Sequence, residues 1–168
     1  MTMQMTTLPT AVLPIFAAAG WFSGRKVPVS PAVPANHPAA AILSEFGGLN
    51  VGKLGPGMEC ARSDVIFCWS PHEGYREILE IGAGLLCHSS QSSRKPVCRQ
   101  RGPGVCGVSG HARHSFMGRT FGEAMERALL GRKASPLLLP SHDKVSWYGE
   151  VLLRGNPQIL SIEKLTTG

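Results

Sequence analysis

The chain has 168 residues, of which 43% are hydrophobic and 17% are charged, and this composition is that of a globular protein rather than a disordered one. The length corresponds to about one domain and suffices for a hydrophobic core. Five cysteines are an odd number in a chain that needs no disulfides at this size, so we expect reduced thiols. No apolar stretch approaches the ~20 residues of a membrane helix, which excludes a spanning segment.

The formal net charge of +6 comes from one segment of the chain. No Asp or Glu lies between Glu80 and Glu123, and six basic residues fall in that gap: Arg94, Lys95, Arg99, Arg101, Arg113 and Arg119. Without these six, eleven basic residues remain against eleven acidic ones, so the rest of the chain is neutral. A local basic excess of this kind is a candidate contact for phosphate groups.

The first predicted helix covers Ala11 to Ala19. Thr10 is its candidate N-cap, Pro14 lies near the first turn, where a missing N–H costs little, and Gly20 is a typical helix end. The N-terminal stretch lacks the basic residues of a signal peptide, so we expect no secretion signal.

A proline-rich connection follows the first helix. Trp21 and Phe22 are expected at the edge of the core, and the stretch "GRKVPVSPAVPAN" (24–36) indicates a winding loop, with one candidate edge strand at Val27 to Val29. The second helix begins within "NHPAAAILSEFGG" (36–48), with Asn36 as cap and Gly47 as the left-handed exit. Its buried face should consist of Ile42, Leu43 and Phe46.

Short strands should follow the second helix. Leu49 and Val51 are placed in one strand, "GPG" (55–57) in a turn, and Met58 to Phe67 in a second extended run. The stretch "SPHEGYREILEIGAGLL" (70–86) then predicts a third helix, with Pro71 and Glu73 near its start.

The strongest helix signals lie at Thr120 to Leu130. Thr120 and Glu123 form a predicted capping box, Glu123 and Arg127 have the spacing of a helical charge pair, and Gly131 should end the helix. Apolar residues recur at every fourth position, at Phe121, Met125 and Leu129, and we expect them to form the buried face of this helix. Beyond it, "PLLLP" (136–140) and "VSWYGEVLLRG" (145–155) indicate extended segments before a polar tail.

A zinc site would draw Cys98, Cys106, His111 and His114 together, because Zn²⁺ prefers thiolate and imidazole ligands. Their spacing lacks the close C-x2-C or H-x3-5-H pairs through which a short loop presents two ligands at once. We therefore predict no metal site and no cofactor.

Catalytic residues are not selected by any local pattern. Cys87 and His88 are adjacent, but neighbours on a strand face opposite sides of a sheet. The glycine-rich "GPGVCGVSG" (102–110) has neither the spacing nor the following lysine of a phosphate-binding loop. We therefore expect no enzyme, and a hydrolase ranks third among the functions considered.

A small basic module that binds nucleic acid or acts as a regulator through the basic segment 94–119 is the runner-up interpretation. The segment has cations for phosphates, but no Phe, Trp or Tyr lies between Tyr75 and Phe116 to stack a base. A solvated basic loop is the favoured interpretation of this segment.

Four stretches together resemble the third family of the SUKH superfamily, bacterial immunity proteins linked to polymorphic toxin systems. They are "AAAGWFSGRKV" (17–27), "HPAAAILSEFGGLNVG" (37–52), "GPGMECARSDVIF" (55–67), and "FMGRTFGEAMERALLGRKASPLLLP" (116–140) with "VSWYGE" (145–150). The resemblance implies a single α+β domain, a mixed or antiparallel sheet flanked by helices. It also implies binding to the C-terminal domain of a cognate toxin in the bacterial cytoplasm, without catalysis, cofactor or membrane.

The centre of the chain departs from this family. Ser89 to Arg101 offers almost no apolar residues, and the Gly-apolar-aromatic-Gly turn of the family survives only as Gly104-Val105-Cys106-Gly107. We expect a flexible N-terminus at 1–9, an immunity domain at 10–155 with an atypical basic loop or degraded strand region at 89–113, and a tail at 156–168. The resemblance identifies no contact residues, and the candidate toxin contacts are the charged residues Arg62, Asp64 and Glu73, which we expect to be exposed.

Overall fold

The computed structural model describes residues 7–33, 35, 38–67, 85–89, 98–100, 105–109, 113–138 and 141–161. The helices in these ranges are α1 (Leu13–Ala18), α2 (Pro38–Phe46) and α3 (Phe121–Leu130). The strands are β1 (Asn50–Val51), β2 (Gly55–Pro56), β3 (Ala61–Arg62), β4 (Val65–Ile66), β5 (Leu85–Ser89), β6 (Cys98–Gln100), β7 (Val105–Ser109), β8 (Arg113–Gly118), β9 (Ser135–Leu138), β10 (Lys144–Trp147), β11 (Glu150–Leu153) and β12 (Leu160–Ser161).

A six-stranded mixed sheet organises the fold, with the strand order β12-β9-β8-β7-β5-β6. The β5–β7 and β9–β12 pairs are parallel, and the remaining neighbours are antiparallel. Helix α3 packs on β8 and also contacts β5 and β7, while α2 contacts β6. The predicted α+β class is therefore confirmed. None of the described helices is long and apolar enough to cross a membrane.

Four buried phenylalanines join the helices to the first strands. The ring of Phe46 lies 5.3 Å from Phe16, 5.3 Å from Phe67 and 5.1 Å from Phe121, measured between centroids. Edge-to-face and offset contacts at these distances stabilise aromatic pairs beyond their area burial. Trp21 stacks at the rim of this cluster, 6.3 Å from Phe46, as expected. Phe22 is 62% exposed, so its predicted place at the core was wrong.

Helix α3 follows its sequence signals closely. The Thr120 hydroxyl accepts a hydrogen bond from the Glu123 amide, and the Glu123 carboxylate accepts one from the Arg119 amide. Gly131 adopts a left-handed conformation with φ of 68° and ends the helix. The predicted inward face is confirmed, since Phe121, Met125 and Leu129 are buried.

The two N-terminal helices differ from prediction at their ends. Helix α1 begins later than expected, and its N-cap is Val12 without a side-chain hydrogen bond rather than Thr10. After α2 the left-handed residue is Gly48, with φ of 80°, and not Gly47. Arg25 donates to the carbonyls of Glu45 and Gly47 and so neutralises the C-terminal end of α2. The predicted cap Asn36 lies outside the described residues.

The region after α2 contains four short strands instead of two. Gly55 and Pro56 pair with Arg62 and Ala61, so "GPG" contributes to a strand, and the turn lies at Met58–Cys60. Asn50 and Val51 pair with Ile66 and Val65. The candidate strand at 27–29 is not formed, although the Val27 amide donates to the Ser44 carbonyl.

The central segment supplies strands where an atypical basic loop or a degraded strand region was expected. β6, β7 and the start of β8 all lie within 89–113, and Val105 to Gly107 pair along β5, so they form a strand and not a turn. A backbone ladder can form here because hydrogen bonding between strands does not depend on apolar side chains. The predicted helix at 70–86 lies outside the described residues, except for Leu85 and Leu86, which belong to β5.

The packed unit extends beyond the predicted limits of 10–155. Leu8 is 9% exposed and belongs to the hydrophobic core, which places it inside the fold rather than in a flexible terminus. At the other end, Leu160 and Ser161 pair with Leu137 and Leu138 as the outer strand of the sheet. Both ends are fixed by contacts far away in sequence.

Candidate functional site

An open cleft of about 370 Å³ lies between α1, β1, β3 and the C-terminal end of α3. Its apolar wall consists of Pro14, Ile15, Ala18, Ala19 and Leu129. The backbone of Gly52 and the polar side chains of Asn50, Lys53 and Arg62 complete it. No Asp or Glu is among these lining residues, so the described wall carries two positive charges and no negative one.

Gly52 is required for the shape of this cleft. It has φ of +84°, and a Cβ built there would lie 2.6 Å from Leu129 Cδ2 and 3.2 Å from the Ser63 carbonyl oxygen. A side chain at position 52 would therefore displace the Leu129 side chain of α3 and the backbone at Ser63.

Arg62 enters the cleft from a fixed piece of backbone. The amide of the following residue, Ser63, donates to the Ala128 carbonyl of α3 at 2.8 Å. On the partner strand, Gly55 leaves room for the guanidinium, because a Cβ built there would lie only 3.2 Å from Arg62 Nη2. Arg62 Nε is buried and has no hydrogen-bond partner among the atoms of the described residues.

The structure separates the three candidate toxin contacts. Arg62 and Asp64 are both partly buried, whereas they were expected as exposed surface charges. Arg62 lines the cleft, and Asp64 lies just before β4 beside Gly52. Glu73 lies outside the described residues. The sequence therefore indicated one residue of the cleft, Arg62, but the role predicted for it was that of an exposed surface charge.

A second candidate surface is the outward face of the β10–β11 hairpin. The register places Lys144 opposite Leu153 and Ser146 opposite Val151, so these four residues share one face. All four are exposed, and Val151 and Leu153 are each 63% exposed. The opposite face carries Val145, Trp147 and the buried Leu152. Adjacent exposed apolar side chains are typical of protein contact surfaces.

The tip of this hairpin is anchored to the body of the protein through Tyr148. Tyr148 has an unusual φ of 45°, and Gly149 follows with φ of 89°, as a tight two-residue hairpin turn requires. Burial, and then the hydrogen bond to the Cys60 side chain, raise the pKa of Tyr148 above its ordinary value. Lys133 Nζ lies 5.2 Å from the centroid of the Tyr148 ring. These contacts offset the cost of the left-handed conformation.

The sheet register separates two members of the hypothetical zinc set. Cys98 on β6 pairs with Cys87 on β5, which pairs in turn with Gly107 on β7. Cys106 is the neighbour of Gly107, so its position falls on the opposite face of the sheet from that of Cys98. His111 lies outside the described residues. No group of three His, Cys, Asp or Glu residues suited to a metal ion occurs in the described part of the chain.

No protein-family model, curated protein or solved structure matches this chain. The features of the chain that bear on its function are the four family-like stretches, the exposed hairpin face and the cationic cleft.

Proposed function

We propose that this chain is an immunity protein of the SUKH type. It binds the C-terminal domain of a cognate polymorphic toxin in the bacterial cytoplasm and neutralises it stoichiometrically, without catalysis. The observation that carries the proposal is the set of four stretches, between residues 17 and 150, that occur in the order of that family. Each stretch is weak by itself, but their common order is far more specific than any one of them.

The outward face of the β10–β11 hairpin is the surface we assign to the toxin. Val151 and Leu153 offer an apolar centre, and Lys144 and Ser146 lie directly opposite them as polar neighbours. An apolar centre within a polar rim is the usual arrangement of a protein interface. The anchored tip also favours binding, because a surface that is already ordered loses less entropy on association.

Co-expression with a toxin domain encoded beside this chain tests the proposal. We expect restored growth of the toxin-expressing cells and a stable one-to-one complex on size-exclusion chromatography. The double variant Val151→Thr/Leu153→Thr places strand-favouring threonine at both positions and should weaken the complex by about tenfold or more, as loss of interface centres does.

The matched control is the double variant Leu54→Thr/Met58→Thr. These two side chains are 57% and 68% exposed, so the control removes a similar apolar area from another hairpin. Equal weakening by both double variants would contradict the assigned surface. A folded toxin domain that does not bind the wild-type chain would contradict the immunity function itself.

A second candidate function, nucleic-acid binding, is favoured by the basic excess at 94–119. Arg119 is the residue of this excess whose side chain the structure describes, and it is exposed. Binding through phosphates alone should be independent of base sequence and should fall steeply as salt rises. By contrast, affinity for one particular DNA sequence that persists at physiological salt would exceed this phosphate contribution. Such affinity would favour this function over the immunity proposal.

A further inference from the structure

The guanidinium of Arg62 is a partly buried cation for which the described residues that line the cleft supply no counter-charge. Its Nε is buried and has no hydrogen-bond partner in the part of the chain that the structure describes. Removing a cation from water is costly unless hydrogen bonds and an opposite charge compensate for it. Within the cleft, the group that would compensate for this cation is an anion.

We propose that the cleft binds a small monocarboxylate with a short aliphatic or aromatic body. The carboxylate lies between Arg62 and Lys53, and the Asn50 side chain offers it one further amide donor. Arginine suits this role because its planar donors match the two oxygens of a carboxylate. Lys53 is exposed and lies at the mouth of the cleft, where it attracts the anion from solvent.

The remaining walls determine what the carboxylate is attached to. Pro14, Ile15, Ala18, Ala19 and Leu129 present only apolar side chains. A cleft of about 370 Å³ with apolar walls and a few polar groups has the size and composition of a small-molecule site. A sugar phosphate or a nucleotide would leave its hydroxyl groups unpaired against these walls, whereas an alkyl or phenyl group is stabilised by burial there.

The C-terminal end of α1 does not oppose an anion strongly, although helix C-termini carry partial negative charge. The carbonyls of Ile15, Phe16 and Ala17 accept hydrogen bonds from the amides of Ala19, Trp21 and Gly20. These carbonyls are therefore already paired, and the charged groups that face the ligand are Arg62 and Lys53.

Titration of the full chain with hexanoate tests the proposal without any toxin. We expect saturable shifts of the Asn50 and Gly52 amide resonances in NMR spectra, with a dissociation constant of about 1 mM or lower. Hexanol and hexylamine have the same alkyl body without the carboxylate and should bind at least about tenfold more weakly, since charge-assisted hydrogen bonds are lost.

Two variants attribute the binding to this cleft. Arg62→Gln should weaken hexanoate binding about tenfold or more, whereas Lys26→Gln removes one charge from an exposed position that does not line the cleft and should leave the hexanoate affinity unchanged. Ala18→Phe fills the cleft from an exposed helix position and should abolish binding without unfolding the protein, as checked by circular dichroism.

Several outcomes would overturn the proposal. One is equal affinity for hexanoate and hexanol, and another is unchanged hexanoate binding in both Arg62→Gln and Ala18→Phe. A third is a failure of hexanoate to bind while a peptide with adjacent Leu and Glu residues shifts the same resonances, because the cleft would then be a docking site for a protein side chain. None of these results depends on whether the chain neutralises a toxin.

Discussion

Gly57 and Gly131 lie in direct backbone contact, and this contact joins the β2–β3 hairpin to the end of α3. A Cβ built on Gly57 would lie 2.6 Å from Gly131 Cα, and one built on Gly131 would lie 2.7 Å from Gly57 Cα. The amides of Met58, Glu59 and Cys60 donate to the carbonyls of Leu130 and Gly131. Only glycine at both positions allows the two backbones to approach so closely.

Alanine variants separate the two requirements for glycine in this contact. Gly131→Ala combines a left-handed backbone with the collision and should destabilise the protein by about 2–5 kcal/mol. Gly57→Ala introduces the collision alone and should cost about 1–3 kcal/mol. The control Gly24→Ala has φ of +81° with nothing within 4 Å of the added Cβ, and should cost about 1–2 kcal/mol.

Urea unfolding of the three variants measures these differences as shifts in midpoint at constant slope. If Gly131→Ala cost no more than Gly24→Ala, the close approach of the two backbones would be disproved.

The contrast between these two glycines shows which part of the fold can be predicted from sequence. The end of α3 at Gly131 is predictable because its signals are local, since the cap at Thr120 and the periodic apolar residues lie within a few turns. The requirement at Gly57 is not predictable, because its partner is distant in sequence. For the same reason "GPG" indicated a turn, although Gly55 and Pro56 belong to a strand.

The buried face of α3 gives a second prediction. Met125 is fully buried, so Met125→Ala leaves a cavity and should reduce the free energy of unfolding by about 2–5 kcal/mol. Arg132 is exposed just beyond the helix, and Arg132→Ala should change stability by less than about 0.5 kcal/mol. Thermal and urea unfolding of both variants provide the measurement. A change within 0.5 kcal/mol for Met125→Ala would contradict the burial of this side chain.

The raised pKa of Tyr148 gives a third prediction. In the variant Tyr75→Phe, Tyr148 is the remaining tyrosine, and its phenolate absorbance should titrate with a midpoint above the ordinary value of 10.0. Burial is the largest cause of the shift and the Cys60 side chain the next, so Cys60→Ala should move the midpoint back towards that value.

The sign of the accompanying stability change follows from linkage. The folded state holds the Tyr148 proton more tightly than the unfolded state, so the protonated tyrosine stabilises the fold. This stabilisation is complete below pH 10 and is lost progressively as the pH rises above it. Tyr148→Phe should therefore lose less stability than the wild type above pH 10. A midpoint at or below 10 would contradict both the burial described for Tyr148 and its contact with Cys60.

The candidate site is only partly predictable from sequence, because its residues come from four separate elements. Arg62 was selected as a charge, but its place in the cleft depends on α1 and Leu129, which no local pattern connects to it. The sequence signal that could have indicated the place of Arg62 is the glycine at position 55. A glycine opposite an arginine on a short hairpin leaves space for the guanidinium. The exposed apolar face of β11 could not be predicted either, because the sequence "EVLL" (150–153) does not show which of its residues face solvent.

The last prediction concerns the stretch from Lys95 to His114, which we expect to bind no structural metal. A zinc ion needs ligands about 2.0–2.3 Å from one centre. The positions of Cys98 and Cys106 belong to two strands separated by β5, and they fall on opposite faces of the sheet. Metal analysis of the purified chain should therefore find no stoichiometric zinc, and a chelator should leave the unfolding midpoint unchanged. Structural zinc sites contribute about 10–16 kcal/mol of binding free energy, so a real site would give an unmistakable loss of stability on chelation. One bound zinc per chain, lost together with the folded state in Cys98→Ser and in Cys106→Ser, would show that the two thiolates meet and that the register of β5, β6 and β7 is wrong.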